Sequence, residues 1–166
     1  ILVNCAKGID IKSTSLISEV INKILPSNKL AVMSGPNFAH EIALGKPTAS
    51  LIATQKLSDA KFIANLISSK TFRPYLSNDI IGAQICGAMK NIYAIGCGII
   101  VGKNVGENAV ASVISRSFAE IKSVGKKLGA QPETLSGLSG LGDLFLTCSS
   151  KKSRNFSLGF DLAKGG

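Results

Sequence analysis

Histidine occurs once in these 166 residues, and aromatic side chains make up only 5% of them. The lone His40 has no second imidazole with which to share a metal. The four cysteines, Cys5, Cys86, Cys97 and Cys148, form no C-x-x-C pair. Zinc chemistry and a disulfide framework are therefore not indicated, no residue is assigned to a metal, and reduced thiols in a cytoplasmic protein are expected. His40 reads as a helix-surface residue. No segment interleaves Lys or Arg with Phe or Tyr, so the net charge of +9 lacks the stacking platform of a single-strand binder. Most of that charge falls on polar faces or at helix ends, as at Lys12, Lys23, Lys56, Lys61, Lys122, Lys126 and Lys127, where it serves solvation. No nucleic-acid partner is expected. Ile1-Leu2-Val3 is too short for a signal peptide. The longest apolar stretch, from Ile80, is broken by Gln84, Lys90, Asn91 and several glycines, which argues against a membrane span. No G-x-G-x-x-G follows a strand.

What is present suffices for a real core, with 45% hydrophobic residues. The first part alternates strands and helices. Ile1 to Cys5 reads as a fully buried strand ended by Lys7-Gly8. Leu16, Ile17, Val20, Ile21 and Ile24 mark an amphipathic helix opened by Ser13 or Ser15 and stopped before Pro26. Strands are expected at Leu30 to Met33, Ala49 to Ala53 and Phe72 to Leu76. A brief helix spans Phe38 to Leu44, and a longer one, capped by Ser58, runs through Ile67. This alternation is the signature of an α/β sheet.

From Asn78 the strands stop. An apolar run from Ile80 to Val101 reads as a buried helix, and Gly102 to Glu107 as a loop. A second helix runs from about Asn108 to Leu128, with Val110, Val113, Ile114, Phe118, Ile121 and Val124 on one face and Gly129 as its stop. Leu138 to Asp143 is a glycine-rich turn before a helical stretch through Thr147. The fold class is thus α/β followed by all-α, with residues 1–78 as one part and 79–166 as a helical part. Both ends look cut, so the chain is expected to be an internal piece of a larger protein, inactive by itself.

The run Gly87-Ala88-Met89-Lys90-Asn91 stands out. Ala83, Gly87, Lys90, Ala94 and Gly98 share one helical stripe, so Lys90 lies among very small residues inside an apolar helix. A buried lysine is costly unless paired, and desolvation lowers its pKa toward the range useful for proton transfer. Such a stripe serves either an active site with space beside the ammonium, or a tight helix-helix contact from which Lys90 snorkels outward. Tyr93 is expected to pack in the helical core.

Together with this run, four strings occur in register: Cys5-Ala6-Lys7-Gly8, Ser34-Gly35-Pro36-Asn37-Phe38-Ala39, Gly140-Leu141-Gly142-Asp143 and Ser153-Arg154-Asn155. Along essentially the whole chain the five resemble the bacterial NAD(P)-dependent glycerol-3-phosphate dehydrogenases. The resemblance implies the last part of a Rossmann-like dinucleotide-binding domain followed by the first part of a helical substrate domain. It implies a cytoplasmic oxidoreductase, possible as a homodimer, that interconverts dihydroxyacetone phosphate and sn-glycerol 3-phosphate with NAD or NADP and supplies phospholipid synthesis. A related reductase of another small acid, or an inactive truncated product, are the alternatives.

The resemblance also assigns roles. Lys90 corresponds to the lysine that polarises the ketone and supplies the proton, Lys7 to a second active-site lysine, and Asp143 to the carboxylate that binds the substrate hydroxyl and orients both. Arg154 and Asn155 correspond to a phosphate clamp, with Ser153 as a further donor. Gly35, Asn37 and Asn91 belong to the substrate set; the family more often has a small hydroxyl residue where Asn37 stands. Lys7, Ala39 and Arg154 belong to the cofactor set. Without the resemblance, Lys7 reads as a strand-end surface lysine, Asp143 as a turn residue, and Arg154 as part of a basic run with Lys151 and Lys152.

Overall fold

In the computed structural model, which describes residues 1–165, the chain opens with β1 (Leu2–Asn4). A two-strand ribbon of β2 (Ile9–Asp10) and β3 (Ser15–Leu16) leads into α1 (Ile17–Ile24). Then follow β4 (Leu30–Ser34), α2 (Ala39–Ala43), β5 (Thr48–Thr54), α3 (Leu57–Ile67) and β6 (Phe72–Ser77). The rest is helical: α4 (Ile80–Gly102), α5 (Glu107–Lys127), α6 (Pro132–Ser136), a π-helical turn at Leu138–Gly142, α7 (Asp143–Ser149) and α8 (Arg154–Lys164). This is the α/β-then-helical order read from the sequence. Gly166 lies outside the described residues.

The sheet has the order β1-β4-β5-β6 and is mixed. The helical crossovers through α1 and α3 make β1–β4 and β5–β6 parallel, whereas the short return through α2 makes β4–β5 antiparallel. Pro74 sits in the edge strand β6, where its missing N–H breaks no ladder. Val32 and Ala53 on one face meet Ala83 of α4, and Ala31 and Ile52 on the other meet Ala60 and Ile63 of α3.

Four expectations for the first part need correction. The opening strand is not fully buried: Ile1 and Val3 are exposed, because β1 lies at the sheet edge and nothing among the described residues covers its outer face. Ser13 and Ser15 do not open a helix. Instead the Asp10 carboxylate accepts from the N–H and Oγ of Ser13 (2.8 and 2.6 Å), Thr14 takes φ +52°, and α1 starts only at Ile17. Ile24, assigned to the apolar face, is 70% exposed, since α1 is short and its last turn reaches past its neighbours. Nor does Ser58 cap α3; the N-cap is Lys56, without a side-chain bond, and Ser58 lies inside the first turn.

The second part follows the sequence more closely. α5 lays Val110, Val113, Ile114, Phe118 and the fully buried Ile121 on a core that includes Cys86, Ala94, Cys97, Leu144, Cys148 and Phe156. Tyr93 packs on the same core, half-buried as expected. Gly129 follows α5 at φ +87°, the left-handed geometry that ends a helix cheaply only in glycine. α4 is long and apolar enough to cross a membrane by length and composition alone. Here it packs on α5, α7 and most extensively on α8. Asp79 caps it, accepting from Gly82 N–H (2.7 Å), and also accepts from Gln131 N–H (2.7 Å) beside α6. Gln84 exchanges two hydrogen bonds with Ser18 of α1 (3.0 and 2.8 Å), tying the helical part to the first part.

The small-residue stripe of α4 has two uses. At Gly98 it is a helix contact: a Cβ there would collide with the carbonyl oxygen of Phe156, while a Cβ at Gly159 would collide with that of Ile95. At Gly87 it makes room for a side chain, since a Cβ would lie 3.2 Å from Lys7 Cγ. Gly98→Val is therefore expected to push α4 from α8 and destabilise the protein by about 2–3 kcal/mol. Urea denaturation monitored by circular dichroism measures this; an unchanged midpoint would show that the two helices do not meet there.

Candidate active site

The central element is a buried carboxylate between two ammonium groups. Asp143 begins α7 directly after the π-helical turn and is 2% exposed. Gly140 permits that turn, because a Cβ at this position would overlap the carbonyl of Leu135. π-turns often occur where a functional side chain must be re-aimed. One oxygen of Asp143 accepts from Lys90 Nζ at 2.5 Å, and the other from Lys7 Nζ at 2.7 Å. Lys90 also donates to Thr147 Oγ1 at 2.8 Å, and Thr147 Oγ1 in turn donates to the Asp143 carbonyl at 2.6 Å.

Lys90 is 7% exposed, so it does not snorkel to the surface. Burial is the largest influence on it and depresses its pKa below the usual lysine range; Asp143 opposes that shift, and Lys7 reinforces it. A buried ammonium with a lowered pKa beside a carboxylate is suited to giving and taking a proton. Burial also pushes the nearby Cys86 thiol up to about 12, leaving it a neutral packing residue rather than a nucleophile.

Lys7 reaches the carboxylate from beyond the C-terminal end of β1. Its ammonium also donates to the Gly35 carbonyl (3.1 Å) and to Asn37 Oδ1 (3.3 Å), and Asn37 Nδ2 donates to Ser50 Oγ (3.0 Å). Gly35 itself, at φ +144°, is buried against the β5 backbone, where a Cβ would lie 3.2 Å from Ser50 Cα. Its carbonyl faces Lys7 while its α-carbon is closed off.

In front of this network lies a cleft of about 600 Å³. Lys7, Asn37, Phe38 and Ala39 line one wall, and Lys90, Asn91, Thr147 and Lys152 to Asn155 the other. Nearly every residue singled out from the sequence meets here. Gly35 and Asp143 sit behind the lining, holding the lysines from the rear. Ser153 caps α8 by accepting from Phe156 N–H (3.4 Å), which fixes Arg154 and Asn155 in its first turn. Arg154 is exposed and makes no ion pair among the described residues, unlike Lys7 and Lys90. His40 lies on the exposed surface of α2, as expected.

Sequence reasoning missed three participants. Thr147 carried a legible signal, being four residues after Asp143 and so on the same helical face. Lys152 was dismissed as part of a basic run, yet only Lys151 turns away, over the Phe160 ring at 4.8 Å. Ser50 carried no signal at all; its contact with Asn37 exists only because β5 lies beside β4.

Comparison with known proteins identifies the family to which the chain is similar. Residues 79–166 match the model of the NAD-dependent glycerol-3-phosphate dehydrogenase C-terminus, and residues 1–60 that of the N-terminus. The chain is 51% identical over 164 residues to a glycerol-3-phosphate dehydrogenase (NAD(P)+) of Rhodospirillum rubrum, covering 99% of this chain and 47% of that protein. For the protein of the same name from Erythrobacter litoralis the identity is 49%, covering 99% and 50%. The crystal structure of glycerol-3-phosphate dehydrogenase from Coxiella burnetii superposes with a TM-score of 0.95 at 38% identity, covering 99% of this chain and 50% of that one. The chain spans about half the length of the curated relatives it matches.

Proposed function

The chain belongs to the NAD-dependent glycerol-3-phosphate dehydrogenase family, and from this premise we propose that the protein carrying it interconverts dihydroxyacetone phosphate and sn-glycerol 3-phosphate with NAD or NADP. The observation that carries the proposal is that the Lys7–Asp143–Lys90 network and Arg154, which makes no ion pair among the described residues, border one cleft. Reducing a ketone requires a hydride, a proton and stabilisation of the developing alkoxide. The two lysines suit the last two tasks, and a guanidinium suits a remote phosphate.

The residues present also fit a nicotinamide cofactor. The cleft lies beyond the C-terminal ends of the parallel strands β1 and β4, where open α/β sheets bind such ligands. Lys7, Ala39 and Arg154 would hold the dinucleotide from its rim. When bound, the cofactor supplies the hydride to the carbonyl carbon. Lys90 donates a proton from Nζ to the carbonyl oxygen, becomes a neutral amine and is reprotonated from solvent; in the reverse direction it takes the proton of the alcohol. Lys7 stabilises negative charge on that oxygen. Asp143 keeps both ammonium groups aimed into the cleft and neutralises part of their charge. Asn91, Ser153 and Asn155 add neutral donors. Energy gained at the phosphate end orients the carbonyl for reaction.

The chain divides on this proposal after residue 78, with the cleft between the two parts. Cytoplasmic location, a possible homodimer and supply of phospholipid synthesis belong to the same proposal.

Arg154→Ala, made in the full-length gene product, tests it. The KM for dihydroxyacetone phosphate is expected to rise by about ten- to a hundredfold, from the loss of a charge-assisted contact of roughly 1.5–3 kcal/mol. The KM for NADH should rise much less. Equal weakening of both, or of neither, would remove Arg154 from the phosphate site. A related reductase of a non-phosphorylated acid is disfavoured for the same reason, having no use for this clamp.

A further inference from the structure

The phosphate end of the cleft holds one cation too few. Lys7 and Lys90 are engaged on Asp143, which leaves Arg154 alone to meet a phosphate monoester carrying about two negative charges at pH 7. Lys152 lines the same volume two residues before Arg154. Its ammonium is held at 2.6 Å by Glu41 of α2, the helix whose first residue, Ala39, lines the opposite wall. The Lys152 side chain is 58% exposed and that of Glu41 31%, so the pair joins α2 to the cleft-lining segment before α8 in contact with water. Exposed ion pairs of this kind contribute about 0–1 kcal/mol and exchange readily. Glu41 gains most from Lys152: the hydrogen bond from that ammonium is the main reason its pKa lies below the usual carboxylate range, with smaller contributions from Lys46 and His40.

We propose that Lys152 is an exchangeable second cation of the phosphate site, held by Glu41 and transferred to the substrate phosphate on binding. Resting on the dehydrogenase function proposed above, this makes Glu41 a competitor of the substrate. Displaced from Lys152, the Glu41 carboxylate keeps Lys46 as a neighbour. No covalent bond changes; one ion pair replaces another. The exchange also discriminates between substrates, because a lone carboxylate offers Lys152 no more charge than Glu41 already does, whereas a phosphate dianion offers more. It opens the strap between the two walls only when a phosphorylated ligand is there to take the lysine.

The test uses the full-length gene product and steady-state kinetics with dihydroxyacetone phosphate at saturating NADH. Lys152→Gln is expected to raise KM by about three- to tenfold with a much smaller change in kcat. Glu41→Gln is expected to lower KM by about two- to fivefold, since it frees Lys152. In the double variant the benefit of Glu41→Gln should vanish. Opposite signs are the decisive feature: a merely structural strap would give increases in KM for both variants, and that result would overturn the exchange. So would a Glu41→Gln effect equally large without Lys152, which would mark a general field effect. Arg154→Ala run in parallel separates the two levels. Turnover with an Arg154-dependent KM but no response at Lys152 sinks the exchange alone, whereas no turnover of dihydroxyacetone phosphate by the unmodified protein sinks the proposed function.

Discussion

Lys90→Met in the full-length gene product is expected to lower kcat for dihydroxyacetone phosphate reduction by about two to four orders of magnitude, the usual consequence of losing a proton donor. Methionine keeps nearly the same length and fills the small-residue stripe, so the helix contacts of α4 survive. Lys90 donates to Asp143 and Thr147 from a position 7% exposed to solvent, and no other ammonium lies on α4 to replace it. Lys7 remains to bind and polarise, which is why the expected loss is in kcat more than in KM. Absorbance of NADH at saturating substrate reads the rate, and circular dichroism checks the fold. A kcat within about tenfold of the unmodified protein would take Lys90 out of the chemistry.

The same residue sets a pH dependence whose sign follows from its depressed pKa. Reduction needs the protonated amine and oxidation the neutral one. As pH rises through the pKa of Lys90, kcat for reduction should fall and kcat for glycerol 3-phosphate oxidation should rise. Both limbs should lie below the range of an ordinary lysine, and both should disappear in Lys90→Met.

Asp143→Ala is expected to be the most destabilising single change in the cleft, costing about 3–5 kcal/mol. Asp143 is 2% exposed and each of its oxygens is held by a separate ammonium. Removing it leaves Lys90 either a desolvated, unpaired ammonium next to Lys7 or forced to give up its proton, and both cost stability. Adding Lys90→Met removes the stranded charge, so the double variant should recover part of the lost stability although it remains inactive. Denaturant unfolding of the single and double variants decides the matter. A loss under about 1 kcal/mol, or no recovery in the double variant, would mean that the buried network does not depend on its carboxylate.

Local patterns in the sequence were enough for α4 and α5, but not for α6 or α8, which the reading left without helices. α5 was legible because its apolar residues recur with the helical period, and Gly129 ends it at a positive φ that other residues resist. α4 was legible as a buried helix, and Lys90 as its anomaly, because one charge in a long apolar run has few explanations. The five motifs in register were enough for the family, which the matched family models share with this reading.

Other features depend on contacts between distant segments, which no local pattern encodes. The burial of β1 was misjudged because an apolar run looks the same whether or not its outer face is covered, and here Ile1 and Val3 are not. The Asp10–Ser13 turn won over the expected helix start because its carboxylate satisfies two donors at once. The stripe on α4 was ambiguous in sequence, and the position of α8 divided it, closing Gly98 against Phe156 while Gly87 stays open for Lys7. Asp143 meets Lys7 across 136 positions, and Lys152 meets Glu41 across 111. Residue types made such partners chemically possible. Only the packing of the helices against the sheet brought these charges within hydrogen-bond range, where burial gives the pairing of Lys90 its consequence.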